Sequence, residues 1–155
     1  MDARFAELID SLEPQFQRLL AMTPAKYGSL PRQIPSRGIY LFSEGQNHLY
    51  IGRTNRLRQR LQDHCRPSGT HFTATFAFRM ARQDTGRVRA TYSNVGSREA
   101  LTSDPKFAKA FEVAKRRVAA MDIRYVEESD PTRQALLEIY AATVLGTPYN
   151  DFETH

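Results

Sequence analysis

The sequence holds one cysteine, Cys65, in 155 residues. That excludes an intramolecular disulfide framework and any zinc site built on paired cysteines, and it fits a reducing, cytoplasmic setting. No apolar run approaches the roughly 20 residues that a membrane helix needs, so a membrane protein is not expected. The opening MDARFAELID carries three acids, one base and no apolar stretch, and does not read as a secretory signal. The four histidines show no spacing suited to zinc. Internal repeats, low-complexity tracts and clear domain boundaries are also lacking. Residues 1–155 therefore read as one domain, and 41% hydrophobic with 25% charged residues excludes wholesale disorder.

Lysine is scarce as well. Of the 22 basic residues only 4 are lysine, and the other 18 are arginine. From Arg32 to Arg98, 12 basic residues stand against 3 acidic ones, a net of +9. Residues 1–31 carry a net of −1 and residues 99–155 a net of −3. The positive charge is thus central. Arginine's planar fork binds phosphate bidentately, so this bias points to phosphate-rich partners, against the plainer reading of a solubilising surface.

The pattern of apolar residues predicts an α+β protein. Phe5, Leu8, Ile9, Leu12, Phe16, Leu19 and Leu20 recur at helical spacing, with Pro14 expected to kink or interrupt the helix. Thr23 to Arg37, with three prolines and a glycine, reads as an extended connector. Residues 38–42 and 48–52 form a predicted β-hairpin around the turn residues 44–47. A register with Phe42 opposite His48 would put Tyr40 opposite Tyr50, both rings on one face. A helix is expected from Asn55 to His64, with Thr54 or Asn55 as its cap. It would carry Arg56, Arg60 and His64 four residues apart along one stripe. Residues 70–82 fit either a helix or an alternating strand, and the helix is preferred. Residues 84–97 read as a loop or small hairpin, 105–120 as a helix and 121–126 as a strand. The last helix is marked at both ends, by Asp130 and Pro131 at its start and Gly146 at its stop.

Glu138 is the one charged residue in the run Ala135 to Leu145. A carboxylate among small apolar side chains is normally paired or bound to a metal. The other reading is an acid that reaches solvent between small neighbours. The two tyrosines alone read more readily as core residues, and the arginine–histidine stripe more readily as a solvated helix face. Glu112 and Lys115 read as surface residues.

Taken in order, Gly38-Ile39-Tyr40, Tyr50-Ile51-Gly52, Arg60, His64, Glu138 and Pro148-Tyr149-Asn150 resemble the GIY-YIG nuclease family. Both name-giving tripeptides are unaltered, and residues 50–64 follow the family's central motif closely. The resemblance spans about residues 35–152, with a long stretch between His64 and Glu138. It implies a three-stranded antiparallel β-sheet flanked by helices. Residues 1–34 would form an added N-terminal helix and connector, and residues 68–120 an inserted helical segment.

The resemblance also implies cleavage of DNA phosphodiester bonds with one divalent ion per site, Mg²⁺ or Mn²⁺. Glu138 would hold the metal. Tyr40, with Tyr50 second to it, would be the general base, helped toward phenolate by Arg60, Arg53 and the ion. Arg60 would contact the scissile phosphate, His64 would assist and Asn150 would organise the site. Arg53, Arg56 and Gly52 are expected along the substrate. Specificity would come from the N-terminal helix, from the insertion with Arg79, Arg82, Arg87, Arg89 and Arg98, or from a homodimer or partner protein. The alternative is a non-catalytic nucleic-acid-binding module of the same fold.

Overall fold

The structure, a computed structural model, describes residues 1–87 and 97–152. The chain falls into two compact units, Met1–Arg60 with Met121–Asn150, and Leu61–Ala120 with Asp151–His155.

The first unit is built on a three-stranded antiparallel sheet of β1 (Gly38–Glu44), β2 (Asn47–Thr54) and β3 (Asp122–Glu127), in the order β2-β1-β3. A Cβ at position 38 would lie 2.0 Å from the Val126 carbonyl oxygen, so β1 and β3 can pair this closely only with glycine there. Two helices precede the sheet, α1 (Ala3–Asp10) and α2 (Glu13–Ala21). Pro14 sits in the first turn of α2, where no intrahelical hydrogen bond is lost, so it opens a second helix after the break. The connector is extended apart from one 3₁₀ turn, and Ala25 pairs with Ile123.

Helix α7 (Pro131–Leu145) follows β3, with the Asp130 carboxylate accepting from the Arg133 N–H and Gly146 closing it at φ 63°. Along β1 and β2, side chains alternate between faces. Ile39, Leu41 and Ile51 turn to one face and form the core with Phe16 and Leu19 of α2 and Leu137 and Ala141 of α7.

The hairpin register differs from the one expected. Tyr40 lies opposite Gly52, and Tyr50 lies opposite Phe42. Two local features cause this. Gly45, at φ 60°, allows a tight turn closed by Glu44 and Asn47. A bulge then leaves Leu49 as an extra residue between the pairs Ser43–His48 and Phe42–Tyr50. The extra residue restores the alternation, so Tyr40 and Tyr50 still share a face.

Helix α3 (Leu57–Cys65) starts two residues later than expected; the Thr54 hydroxyl accepts from the Arg56 N–H, and the Leu57 N–H donates to the Ser36 carbonyl. The second unit contains α4 (Thr75–Asp84), α5 (Arg98–Ser103) and α6 (Pro105–Ala119). The ambiguous stretch 70–82 is thus helical from Thr75. Phe76, Phe78 and Met80 are all buried, and Phe78 packs against Phe107 and Phe111 at ring-centroid distances of 5.1 and 5.6 Å. A helix buried on most of its circumference accepts apolar residues at alternating positions, which is what mimicked a strand.

Lys115 is not a surface residue. It is 6% exposed, donates to the Pro67 and Gly69 carbonyls at 3.0 Å each, and meets Glu112 at 2.7 Å. It ties the turn after α3 to α6. Arg82 is buried, over the Phe78 ring, rather than facing outward as expected, while Arg87 is exposed and pairs with Asp104 at 3.1 Å. Arg89, and most of the expected 84–97 loop, lie outside the described residues.

Candidate active site

The site begins at the β-hairpin. Gly52 is fixed by Tyr40: a Cβ at position 52 would fall 2.2 Å from both Cζ and Oη of that tyrosine. The missing side chain is the space the phenol fills. Tyr40 and Tyr50 stand with ring centroids 6.3 Å apart, and Phe42 meets Tyr40 edge-on at 5.9 Å. Tyr40 is 1% exposed, while Tyr50 is half-buried.

Arg60, on α3, donates a hydrogen bond to the Tyr40 hydroxyl. Arg60 favours the phenolate, as expected, but it does not prevail. Burial comes first among the causes, with the charges of Tyr50 and Glu138 acting the same way, and together they raise the Tyr40 pKa well above the ordinary tyrosine range. Arg60 thus acts in the expected direction, while burial opposes it.

Glu138 meets Arg53. Arg53 follows Ile51 by two residues, so it leaves β2 on the face that α7 covers. Its Nε lies 3.9 Å from Glu138 Oε1, and its backbone N–H also bonds the carboxylate. The Glu138 side chain keeps 20% of its exposure. Burial raises its pKa, and the Arg53 charge and N–H work against that rise. Both readings of Glu138 thus hold in part, since it is paired and it also reaches solvent.

Asn150 acts as an added strand residue on the outer edge of β2. Its Oδ1 accepts from the Ile51 N–H and its Nδ2 donates to the Ile51 carbonyl, both at 2.8 Å. The Thr147 hydroxyl fixes the amide by donating to Oδ1 at 2.7 Å. Next to it, the Tyr149 N–H reaches the Leu49 carbonyl at 3.2 Å. Asn150 therefore positions the backbone between Tyr50 and Gly52. Asn150→Asp would set a carboxylate oxygen against the Ile51 carbonyl. A loss of about 1–3 kcal/mol in stability, read by denaturant titration, is expected from the unsatisfied pair.

Gln134 was not anticipated. It is 2% exposed, and its amide donates to Asn55 Oδ1 at 3.0 Å and to the Glu128 carbonyl at 2.6 Å, holding the ends of β2 and β3 to α7. Arg133 adds a bond to the Glu128 carboxylate at 2.8 Å. A lone amide beside the apolar run of the last helix was the available signal. Arg56 is exposed just before α3. His64 belongs to the second unit, where it is fully buried and edge-on to Phe76 at 6.4 Å. Burial pushes the Cys65 thiol up to about 12, which makes it inert as a nucleophile.

Among the described residues, no three acids, histidines or cysteines converge. A closed zinc-type cage is thus not formed by these residues, whereas one partly exposed carboxylate suits a hard cation that keeps most of its shell as water and phosphate oxygen. Also among the described residues, no helix is long and apolar enough to cross a membrane.

A three-stranded antiparallel sheet with paired tyrosines, an arginine bonded to one of them and a helical glutamate defines the class of small nuclease domains that the motifs suggested. Residues 36–150 match the GIY-YIG catalytic domain, and the chain belongs to that family. The family consists of endonucleases, which gives the chain a nuclease-type function. No curated protein and no solved structure matched the chain.

Proposed function

We propose that this protein is a divalent-metal-dependent DNA endonuclease. The observation that carries the reading is Glu138, a solvent-reaching carboxylate on an otherwise apolar helical run whose charge is felt at Tyr40. Glu138 would hold one Mg²⁺ or Mn²⁺. When bound, such an ion offsets phosphate charge and makes a coordinated water more acidic. Arg60 and Arg53 bind the phosphate oxygens, and Arg60 stabilises the charge that builds up as the bond breaks. With Tyr40 as the phenolate, the water oxygen bonds to phosphorus, one of its protons goes to Tyr40 Oη, the ester bond to the leaving sugar oxygen breaks, and that oxygen takes a proton from solvent. Asn150 keeps the Tyr50–Gly52 backbone in place. His64 follows Arg60 by one turn on α3 and, buried within the second unit, is read as supporting that helix rather than touching substrate.

Cleavage of plasmid and of linear, nicked and branched oligonucleotides with Mg²⁺ or Mn²⁺ is expected, and none with EDTA. Binding without cleavage on every substrate would support the non-catalytic alternative. A parallel RNA arm tests the choice of DNA.

The raised Tyr40 pKa makes a second prediction. Below its pKa, the phenolate fraction grows about tenfold per pH unit. The cleavage rate should therefore climb toward alkaline pH. Tyr40→Phe should remove the climb and lower the rate about 10²–10⁴-fold, the range for a general base. Tyr50→Phe should keep the slope. If the slope follows Tyr50 instead, the two tyrosines exchange roles.

A further inference from the structure

We propose that the groove at the start of α3 is a second phosphate-binding site, one that grips the DNA strand beside the scissile bond. The inference rests on the nuclease reading above and extends it to residues of the connector. The groove encloses about 550 Å³ within the first unit, and Arg32, Ser36, Asn55, Arg56, Arg58 and Gln59 provide its polar lining. No acid lines it. Three guanidinium groups without a carboxylate make a positive concavity of a size suited to a ligand.

The three arginines divide the work. Arg58 is committed to structure, with its guanidinium donating to the carbonyls of Pro31 and Arg32, the latter at 3.0 Å. The Leu57 N–H donates to the Ser36 carbonyl at 2.9 Å. These bonds fasten the connector to the start of α3 and make a fixed wall. Arg32 and Arg56 are exposed, and neither guanidinium has a partner among the described residues. Their donors are free for a ligand, and the arginine fork matches two oxygens of a phosphodiester.

The position along α3 ties the groove to the site. Arg60 lies one turn beyond Arg56, and its N–H bonds the Arg56 carbonyl at 2.9 Å. Four residues of helix rise roughly 6 Å. One strand of duplex DNA presents a phosphate about every 3.4 Å along the axis. A phosphate at Arg60 and another in the groove would thus be one or two nucleotides apart on the same strand. Arg56 was expected near substrate from its sequence position, while Arg32 and Ser36, outside the motifs, were not.

The test is duplex oligonucleotide binding in EDTA over a range of salt concentrations, for wild type, Arg32→Ala, Arg56→Ala and the double variant. The plot of log affinity against log salt should become shallower by about 0.9 for each phosphate that the variant no longer neutralises. The weakening should be similar on unrelated sequences, since arginines that grip phosphate carry no base readout. Thermal melts should match wild type, because both side chains are exposed. A double variant with the wild-type salt slope would overturn the groove and leave the nuclease reading intact. A wild-type protein that neither binds nor cuts DNA would overturn the nuclease reading itself. Arg32→Lys separates bare charge from the fork: a wild-type slope with weaker binding supports bidentate binding, while a slope as shallow as that of Arg32→Ala counts against a charge interaction at this position.

Discussion

Glu138→Gln should abolish cleavage and, at neutral pH, leave the protein at least as stable as wild type. The first effect follows from losing the carboxylate proposed to hold the cation. Charge stabilisation by such an ion is worth several kcal/mol, and each 1.36 kcal/mol is tenfold, so a loss of about 10²–10⁴ in rate is expected. The second follows from the direction of the Glu138 pKa. Burial raises it, so the folded state holds this proton more tightly than the unfolded chain does. Stability then falls as pH rises from the unfolded value of Glu138 through its folded value. The penalty is complete above that window and vanishes below it. Glutamine removes the charge and with it the penalty. Arg53, left without its partner, is nearly half exposed and can turn to water. Thermal melts between pH 4 and 8 should show the variant's margin shrinking on acidification. A wild-type cleavage rate would refute the metal assignment, and a large drop in melting temperature at pH 7 would mark Glu138 as structural.

Gly52→Ala should be nearly as damaging to activity, through a different route. Its methyl would sit 2.2 Å from the Tyr40 ring carbon and hydroxyl. Contacts that short do not persist, so the ring or the strand must move. Tyr40 has little room to move, being 1% exposed with Phe42 edge-on beside it. Overpacking of this kind costs about 1–3 kcal/mol of stability. Displacing Tyr40 by about 1 Å would also break its alignment with Arg60, and misplacement on that scale can lower a rate about 10²-fold. Gly28→Ala is the control, since nothing lies within 4 Å of its added methyl. Equal behaviour of the two variants would refute the claim that Gly52 makes room for Tyr40.

The ends of α7 and the hairpin could be read from the chain because each is set by local chemistry. Asp130, Pro131 and Gly146 act within a turn of their own positions. The hairpin register could not be read, because it depends on a bulge at Leu49 whose carbonyl is taken by Tyr149, 100 residues on. Lys115 was misread for a similar reason. Helical spacing says which residues share a stripe, but it does not reveal that the Pro67 and Gly69 carbonyls wait at the end of this one. The proposed site residues were found through ordered motifs, yet their energetics were not. The pKa of Tyr40 is governed by burial, which one sequence does not display. Gln134, with acceptors from two separate segments, left only the faint trace of an amide within an apolar helix.

Among the described residues the sheet has three strands, so two of them have an outer edge, and other parts of the chain occupy both. On β2 the Asn150 amide takes both backbone groups of Ile51. On β3 the Gln15 amide donates to the Glu127 carbonyl, the Met22 sulfur accepts from the Tyr125 N–H, and Ala25 pairs with Ile123. Exposed strand edges are templates for aggregation, and these plugs deny an incoming strand its hydrogen bonds. An incoming strand would meet occupied backbone groups at both ends of the sheet. Asn150 thus serves solubility as well as alignment, and a variant that loses its amide should precipitate sooner as protein concentration rises.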